Sequence, residues 1–352
     1  MKIITVLGAR PQFIKAAPVS RVLREKHTEL IIHTGQHYDA NMSDIFFEEL
    51  NIPKPDYHLA VGSGNHGKQT GEMLQKIEEI VVKEEPDYML VYGDTNSTLA
   101  GALVAAKLHV PVIHIEAGLR SFNKRMPEEV NRIMTDHVSE FLFCPTDTAV
   151  KNLDDENITR NVFNIGDVMY DAVLYNKELA EEKSTVLADN GLEKKGFHLI
   201  TIHRAENTDD LQNMKNILEA FSQIETVKVW PMHPRTKNKL ASYGLDLDSI
   251  PNLKIIEPVG YLDMLTLVAN AKKIVTDSGG VQKEAYFMEV PCITIREQTE
   301  WVETLEDDAN ILAGTSVEKI LAGINKEVKP SYKALFGDGK ASQKIIEIIE
   351  NR

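Results

Sequence analysis

Cysteines and runs of basic residues are scarce in this sequence. The two cysteines, Cys144 and Cys292, lie far apart in a chain of 352 residues and form no C-x-x-C pair. This argues against a disulfide framework and a structural zinc site, and it predicts a reducing, cytoplasmic environment. The chain has 39 Lys and Arg against 53 Asp and Glu, a net charge of −14, and no basic run offsets this. Neither nucleic acid nor an anionic membrane is therefore expected as a partner.

Long apolar runs and several catalytic signatures are also missing. No stretch approaches the roughly 18 apolar residues of a membrane span, and the apolar residues 3–7 are too few for a signal-peptide core. The patterns G-x-S-x-G, G-x-x-x-x-G-K-[ST] and H-E-x-x-H do not occur. A G-x-G-x-x-G match at residues 62–67 lacks a good strand before it, and we interpret it as a flexible loop. Hydrolases and kinases are not favoured.

The sequence does contain a regular alternation of short β-branched apolar runs and longer amphipathic stretches. Such alternation is typical of βα units around a parallel sheet and predicts an α/β fold. The pattern starts afresh after a polar stretch at residues 175–196, and 352 residues exceed one ordinary core, so two α/β domains are expected. The predicted strands cover residues 2–7, 29–34, 87–92, 110–115, 141–143 and 162–165, and then 197–202, 227–231, 253–257, 273–277 and 291–295.

The domain boundary is placed near Gly166. This gives an N-terminal domain of residues 1–166 and a C-terminal domain of residues 167–338. A final helix within residues 339–352 carries four isoleucines and is expected to pack back on the first domain. In open parallel sheets ligands bind at the carboxyl ends of the strands, so functional residues are sought there.

The turn after the first strand has the composition of an anion site. Gly8 permits a tight turn, and Pro11 suits the first position of a helix. Arg10 and Lys15 place two cations where free N–H groups and the helix dipole already favour an anion. The alternative is a capped helix with solvated charges.

A second candidate anion site lies in the other half of the chain. Ser278, Gly279 and Gly280 follow an apolar strand and begin a helix, where close backbone approach and N–H donors suit a diphosphate. Glu284, in the second turn, is placed to accept hydrogen bonds from ribose hydroxyls. The alternative is a tight turn whose serine caps the helix. His203 also ends a strand, beside Arg204, and is a candidate to bind a phosphate or act as an acid.

Acidic residues occupy three consecutive strand-to-helix turns of the first half. Asp94 and Glu116 each follow a predicted strand, and Glu128 and Glu129 begin a helix. The carboxyl ends of parallel strands meet at one edge, so these carboxylates are expected to converge for acid–base chemistry. Asp94 could instead cap a helix, and the two glutamates are typical of a helix start. Glu116 is hardest to explain structurally because a carboxylate after a buried strand needs a partner or a task.

Together these motifs resemble the non-hydrolysing UDP-N-acetylglucosamine 2-epimerases over nearly the whole chain. The resemblance implies a glycosyltransferase-B-like architecture of two Rossmann-like domains with the active site between them, and a homodimer. It implies inversion at C2 of a UDP-linked acetamido sugar, without NAD or metal, by elimination of UDP to a 2-acetamidoglucal and re-addition. The motifs that carry it are GARP at residues 8–11 with Lys15, GDT at 93–95, HIEAGLR at 114–120, PEEVNR at 127–132, HR at 203–204 and TDSGG at 276–280.

The resemblance also assigns roles to individual residues. It implies that Asp94, Glu116, Glu128 and His203 are catalytic. The implied UDP contacts are Arg10, Ser278, Gly279 and Gly280 at the diphosphate with Lys15 beside them, Glu284 at the ribose, and Met264 where many members have an aromatic residue for the uracil ring.

Three segments bear on regulation and substrate choice within the family. Residues 35–43 depart from the pattern associated with allosteric activation by UDP-N-acetylglucosamine, so that regulation is not predicted. Residues 35–43, 121–127 and 298–301 also resemble a branch that epimerises UDP-2,3-diacetamido-2,3-dideoxyglucuronate, where Lys124 or Arg125 would meet the sugar carboxylate. Both charges could equally be solvated, so two substrates stay open.

Two functions of other classes share the expected fold. A glycosyltransferase would use the same diphosphate site but would need an acceptor groove rather than three clustered carboxylates. A catalytically silent nucleotide-sugar binding protein would have no need of Asp94, Glu116, Glu128 and His203 together. The sequence therefore favours the epimerase.

Overall fold

The structure is a computed structural model that describes residues 1–35 and 53–352, and of Arg10 only the backbone. The chain divides into two compact units. Unit 1 comprises Met1–Leu174 and Ala334–Arg352, and unit 2 comprises Tyr175–Lys333. The division falls inside a helix, Val168–Lys183, a few residues from the boundaries expected at 166 and 338.

Unit 1 is built around a parallel sheet in the order β3-β2-β1-β4-β5-β6-β7. Its strands are β1 Lys2–Leu7, β2 Thr28–His33, β3 Tyr57–His58, β4 Tyr88–Tyr92, β5 Val112–Ile115, β6 Phe141–Cys144 and β7 Val162–Asn164. Its helices are α1 Arg10–Leu23, α2 His66–Glu84, α3 Asn96–Lys107, α4 Pro127–Val138 and α5 Asp147–Asp155. A further helix, α6 Val168–Lys183, begins in unit 1 and passes into unit 2 after Leu174.

The C-terminal helix of the chain, α14 (Ala341–Glu350), belongs to unit 1 and packs against α1. Ile345, Ile346 and Ile349 are buried on its inner face. The backbone N–H groups of Ala341 and Ser342 donate to the two carboxylate oxygens of Asp171 at 3.1 and 2.7 Å. These bonds satisfy donors at the start of the helix, where no intrahelical acceptor exists.

Unit 2 repeats the design with a parallel sheet in the order β10-β9-β8-β11-β12-β13. Its strands are β8 Phe197–Thr201, β9 Val227–Pro231, β10 Leu253–Ile256, β11 Lys273–Thr276, β12 Cys292–Thr294 and β13 Asn310–Leu312. Its helices are α7 Val186–Asp189, α8 Ala205–Thr208, α9 Leu211–Ser222, α10 Pro234–Ser242, α11 Tyr261–Asn270, α12 Gly279–Phe287, α13 Val317–Asn325 and a 3₁₀ helix at Val302–Asp308.

Both faces of the second sheet are covered by apolar side chains. Ile200, Trp230, Val275 and Ile293 join one buried cluster with residues of α9 and α13. Leu199, Val229, Ile274 and Cys292 join the opposite cluster with residues of α11 and α12. Successive strand residues thus point to opposite faces, which is why these strands read as continuous apolar runs.

The prediction of an α/β protein with two parallel sheets is confirmed. Strands β3 and β13 were not predicted, and each has only two or three residues that pair at a sheet edge. Residues 62–67 do not form a phosphate-binding turn after a strand, and α2 begins at His66. Residues 36–43, where a different regulatory pattern was noted, lie outside the described residues.

Both cysteines are unpaired and buried, Cys144 in β6 and Cys292 in β12. Burial raises the thiol pKa of both, that of Cys292 to about 12. Within the described ranges, no helix combines the length and apolarity needed to cross a membrane.

Candidate active site

The turn after β4 is the centre of the candidate site in unit 1. Gly93 has a left-handed backbone with φ of 63°, and a Cβ placed there would lie 3.0 Å from Glu116 Oε2 and 3.5 Å from Lys15 Nζ. The carboxylate of Glu116 is buried and forms an ion pair with the ammonium of Lys15. Glycine is favoured here because other residues are strained at this φ and an added Cβ would press against the Glu116 carboxylate.

Glu116 itself has an uncommon backbone conformation. Its φ is 71°, which costs a non-glycine residue about 1–2 kcal/mol. The N–H groups of Glu116 and Ala117 both donate to the carbonyl of Phe143, at 3.0 and 3.1 Å, and hold the chain in this bend. Strain maintained by surrounding hydrogen bonds is typical of a functional residue.

Asp94 lies beside this ion pair and is held by α4. Its carboxylate accepts a hydrogen bond from Arg132 Nη2 at 2.5 Å, and its backbone carbonyl accepts one from Asn131 Nδ2 at 2.9 Å. Thr95 rather than Asp94 caps α3, so the capping interpretation is not the one observed. Partial burial raises the pKa of Asp94; the carboxylates of Glu116 and Glu128 act in the same direction, and the charges of Arg132 and Lys15 oppose them.

The two glutamates at the start of α4 have different environments. Glu128 is exposed, and it lies one turn before Arg132 on the face that meets Asp94. Glu129 is buried and accepts from the N–H groups of Ser121 and Phe122, both at 2.8 Å. Burial opposes its ionisation, but these bonds and Arg132 lower the pKa of Glu129 overall. Glu128 is therefore free to face a ligand, whereas Glu129 holds the preceding loop.

The start of α1 differs from the expected anion site. The N–H groups of Gly8 and Ala9 donate to Gln12 Oε1 at 2.8 and 3.1 Å. Lys15, the predicted second cation, pairs with Glu116. The side chain of Arg10 lies outside the described residues. These two donors are thus occupied, and an anion here would depend on Arg10.

In unit 2, Asp277 organises the turn that carries His203. Its buried carboxylate accepts from the N–H groups of His203 and Arg204, at 3.1 and 3.0 Å, and from Asn207 Nδ2 at 3.0 Å. The His203 side chain is 54% exposed, with Nδ1 3.7 Å from Asp277 Oδ1. A donor in this position can reach a ligand while its backbone stays fixed.

The turn after β11 combines a helix cap with open backbone. Ser278 caps α12 by accepting from the N–H of Val281 at 3.5 Å, as the structural alternative predicted. A Cβ on Gly279 would lie 2.8 Å from Glu300 Oε1, whereas one on Gly280 would meet only Ser278 Oγ at 3.9 Å. Gly280 thus leaves space through which a ligand can approach the helix N-terminus.

The two remaining predicted contacts also lie in unit 2. Glu284 is buried within α12, about one helical turn after Gly280. Met264, in α11, is partly buried against the apolar cluster that contains Leu267 and Ala285. No group of three or more potential metal-ligating side chains occurs in the part of the chain that the structure describes.

Comparison with known proteins identifies the family. A profile of the UDP-N-acetylglucosamine 2-epimerase family matches residues 21–350. The chain belongs to this family of epimerases. It is 55% identical to a UDP-N-acetylglucosamine 2-epimerase homologue of Methanococcus maripaludis, over the full length of both chains. It is 50% identical, over 99% of both chains, to the UDP-2,3-diacetamido-2,3-dideoxy-D-glucuronate 2-epimerase of Pseudomonas aeruginosa.

The fold of this family member also matches a solved structure. It aligns with the crystal structure of the UDP-GlcNAc 2-epimerase of Methanocaldococcus jannaschii in complex with UDP-GlcNAc and UDP. The alignment covers 100% of each chain, with a TM-score of 0.90 and 47% sequence identity. The family predicted from sequence motifs is therefore confirmed.

Several residues that organise the site in this epimerase family member were not predicted. Arg132 and Asp277 lie within the quoted motifs but were given no role, and Gln12 was not singled out, yet each ties together turns from distant parts of the sequence. The signal available for Arg132 was its position four residues after Glu128, which places both on one face of α4.

Proposed function

We propose that this protein interconverts UDP-N-acetylglucosamine and UDP-N-acetylmannosamine by inverting C2 of the sugar. One observation carries the proposal: Asp94 and Glu116 lie together at the Gly93 turn, with Glu128 facing them from α4. The confirmed family and the full-length likeness to a UDP-GlcNAc 2-epimerase support it.

The chemistry explains why carboxylates are needed. The C2 proton has no adjacent carbonyl to stabilise a carbanion, so it cannot leave alone at neutral pH. In our proposal a carboxylate removes this proton while the C1–O bond to UDP breaks, giving 2-acetamidoglucal and UDP. Re-addition of UDP at C1 with proton delivery to the opposite face of C2 gives the epimer. Each positioned acid or base contributes about 10² to 10⁴-fold.

The environments of Asp94 and Glu116 differ. The raised pKa of Asp94, caused first by partial burial, favours a carboxyl that can hold a proton. The carboxylate of Glu116 is instead paired with the ammonium of Lys15. We infer that Asp94, Glu116 and Glu128 share the roles of acid and base.

We assign binding of UDP to the turn after β11 and to His203. A leaving diphosphate needs donors that stabilise its charge and retain it for return. The open backbone at Gly280, the cap at Ser278 and the exposed His203 supply such donors, with Arg10 as a further cation. Gly279 belongs to the same turn, and Glu284 and Met264 are the proposed ribose and uracil contacts.

A single experiment tests the reaction. The protein is incubated with UDP-N-acetylglucosamine in D₂O, and proton NMR follows C2 and the anomeric signals. We expect deuterium to enter C2 as the manno epimer appears. Complete inertness, with neither exchange nor release of UDP, would contradict the proposal for this substrate.

UDP-2,3-diacetamido-2,3-dideoxyglucuronate is the second candidate substrate. The 50% identity to the P. aeruginosa enzyme favours it, as do the exposed cations Lys124 and Arg125 in the loop before α4. The same D₂O experiment with this compound distinguishes the two. Turnover of the uronate alone, and its selective loss in Arg125→Gln, would assign the chain to the uronate.

We further propose a cytoplasmic homodimer. The unpaired, buried cysteines fit a reducing compartment. Val130 and Met134 are exposed one turn apart on α4, and a second copy would cover this apolar face. We expect light scattering to give twice the 39.5 kDa chain mass, and Met134→Lys, but not Val227→Lys in unit 2, to lower it. A monomeric wild-type protein would contradict the proposal.

A further inference from the structure

His114, in β5, faces a hydrogen-bond acceptor with each of its two ring nitrogens. Its side chain is fully buried, with Nδ1 2.7 Å from Asp136 Oδ1 and Nε2 2.8 Å from the carbonyl oxygen of Gly93. A carbonyl oxygen only accepts hydrogen bonds, and so does an ionised carboxylate. If Asp136 is ionised, both ring nitrogens of His114 must donate.

The surroundings of Asp136 favour the ionised carboxylate. Its second oxygen, Oδ2, accepts from Arg120 Nη1 at 2.7 Å and from the N–H of Gly118 at 3.2 Å. Burial opposes the charge of Asp136, and the contact with the Arg120 guanidinium favours it. Two fixed donors at Oδ2, one of them a guanidinium, favour the ionised form of Asp136.

The other end of the imidazole meets the turn that carries the proposed catalytic groups. Gly93 also donates its N–H to the carbonyl of Ile115 at 3.0 Å, so both polar groups of its backbone are fixed by β5. Asp94 follows directly, and Glu116 lies against the same turn. A shift of about 1 Å in such groups can cost 10²-fold in rate.

We propose that His114 is a buried imidazolium cation that acts as a positioning residue, holding the Gly93 turn so that Asp94 and Glu116 keep their reactive geometry. This rests on the proposed epimerase function. His114 does not touch substrate; it acts through the Gly93 carbonyl.

The charged groups around His114 come from several elements. Asp136 lies on α4, Arg120 follows β5, and Glu156, after α5, binds Arg120 through two bonds of 2.7 Å. Cys144 lies on β6, where burial raises its thiol pKa and keeps it neutral. In this cluster the proposed cation His114 and the cation Arg120 face the anions Asp136 and Glu156. Loss of the Asp136 charge would leave the imidazolium without its partner, so the imidazolium is stable only while Asp136 is ionised.

The protonation state can be measured without substrate. Full-length protein labelled with ¹⁵N-histidine is examined by NMR, and the His114 signals are those missing from His114→Gln or changed in Asp136→Asn. We expect both ring nitrogens to be protonated near neutral pH, because both face acceptors. A His114 ring with one unprotonated nitrogen near neutral pH would overturn the proposal, whatever the substrate proves to be.

Kinetics test the positioning role. In Asp136→Asn the amide still accepts from Nδ1 but carries no charge, so His114 gives up its second proton as pH rises. We expect C2 exchange in this variant to be retained at the acidic end and to fall at least about tenfold toward the alkaline end. The wild-type profile lacks this fall. A uniform loss at every pH would show a merely structural role and overturn the proposal.

His114→Gln and His109→Asn form a matched pair. His109 is exposed at the other end of β5 with φ of 59°, a conformation that asparagine tolerates. We expect kcat to fall at least about tenfold in His114→Gln with KM within a few-fold, and neither to change in His109→Asn. If His114→Gln does not fold, NMR of the wild-type protein and the Asp136→Asn profile still decide.

Discussion

The carboxyl ends of the two parallel sheets present side chains of opposite character. In unit 1 this edge carries Asp94, Glu116 and, from α4, Glu128, with basic side chains placed between the acids. In unit 2 the acid at the corresponding edge is Asp277, and its carboxylate accepts hydrogen bonds from the N–H groups of His203 and Arg204. Under the proposed function, unit 1 supplies groups that move protons, and unit 2 supplies donors that bind an anion. Two similar sheets would then divide catalysis and binding between them.

The largest effect is expected when an acidic side chain at the sheet edge of unit 1 is replaced by its neutral amide. In Asp94→Asn or Glu116→Gln we expect C2 exchange to fall by about 10² to 10⁴-fold, because each change removes a proton-transfer group. UDP affinity should change only a few-fold, since binding is assigned to the other edge. NMR exchange and calorimetry measure the two effects.

Asp154→Asn, at an exposed position on α5, serves as the control. Near-normal turnover in both site variants would refute the assignment of proton chemistry to unit 1.

The second prediction concerns a buried histidine of unit 2 and the pH dependence of stability. His198 in β8 lies in register with Lys228 and Lys273. Burial lowers its pKa from 6.5 to about 4, and the charges of Lys272, Lys273 and Lys228 act in the same direction. The unfolded chain therefore binds the proton first, and stability is lost as pH falls from about 6.5 to 4, by about 3 kcal/mol.

Tryptophan fluorescence measures this loss in unit 2 because Trp230 and Trp301 both lie there. We expect His198→Gln to flatten the pH dependence of the free energy of unfolding. His233→Asn, which removes an exposed histidine but keeps a capping side chain, should leave it as in the wild type. An equal slope in His198→Gln would show that His198 is not the group responsible.

The smallest predicted effect concerns UDP binding at the sheet edge of unit 2. We expect Gly280→Ala to weaken UDP binding about tenfold, or about 1.4 kcal/mol, because the added methyl occupies the path to the helix N-terminus. Folding should be unaffected, since that methyl would meet only Ser278 Oγ at 3.9 Å.

Gly67→Ala, which also points into open space but lies in α2, is the control for calorimetry with UDP. Equal UDP affinity in all three proteins would exclude the turn after β11 as the diphosphate site.

Patterns along the chain predicted what depends on local sequence. The alternation of apolar runs predicted both sheets, and strand-end positions pointed to Asp94, Glu116 and Ser278. Periodicity could not reveal β13, whose three residues become a strand only by pairing with β12. Nor could it show that Gln12 Nε2 donates to the carbonyl of Tyr92 at 2.9 Å, 80 residues along the chain. Such partners lie on elements that only the fold brings together.

The two buried thiols have a practical consequence for labelling. Because burial raises the thiol pKa of Cys144 and Cys292, both stay protonated and out of reach of maleimide reagents. A cysteine added on the surface of either unit would then react alone, with no need for a cysteine-free background. Dyes attached at one such position in each unit would let single molecules be followed as nucleotide sugar is added and consumed.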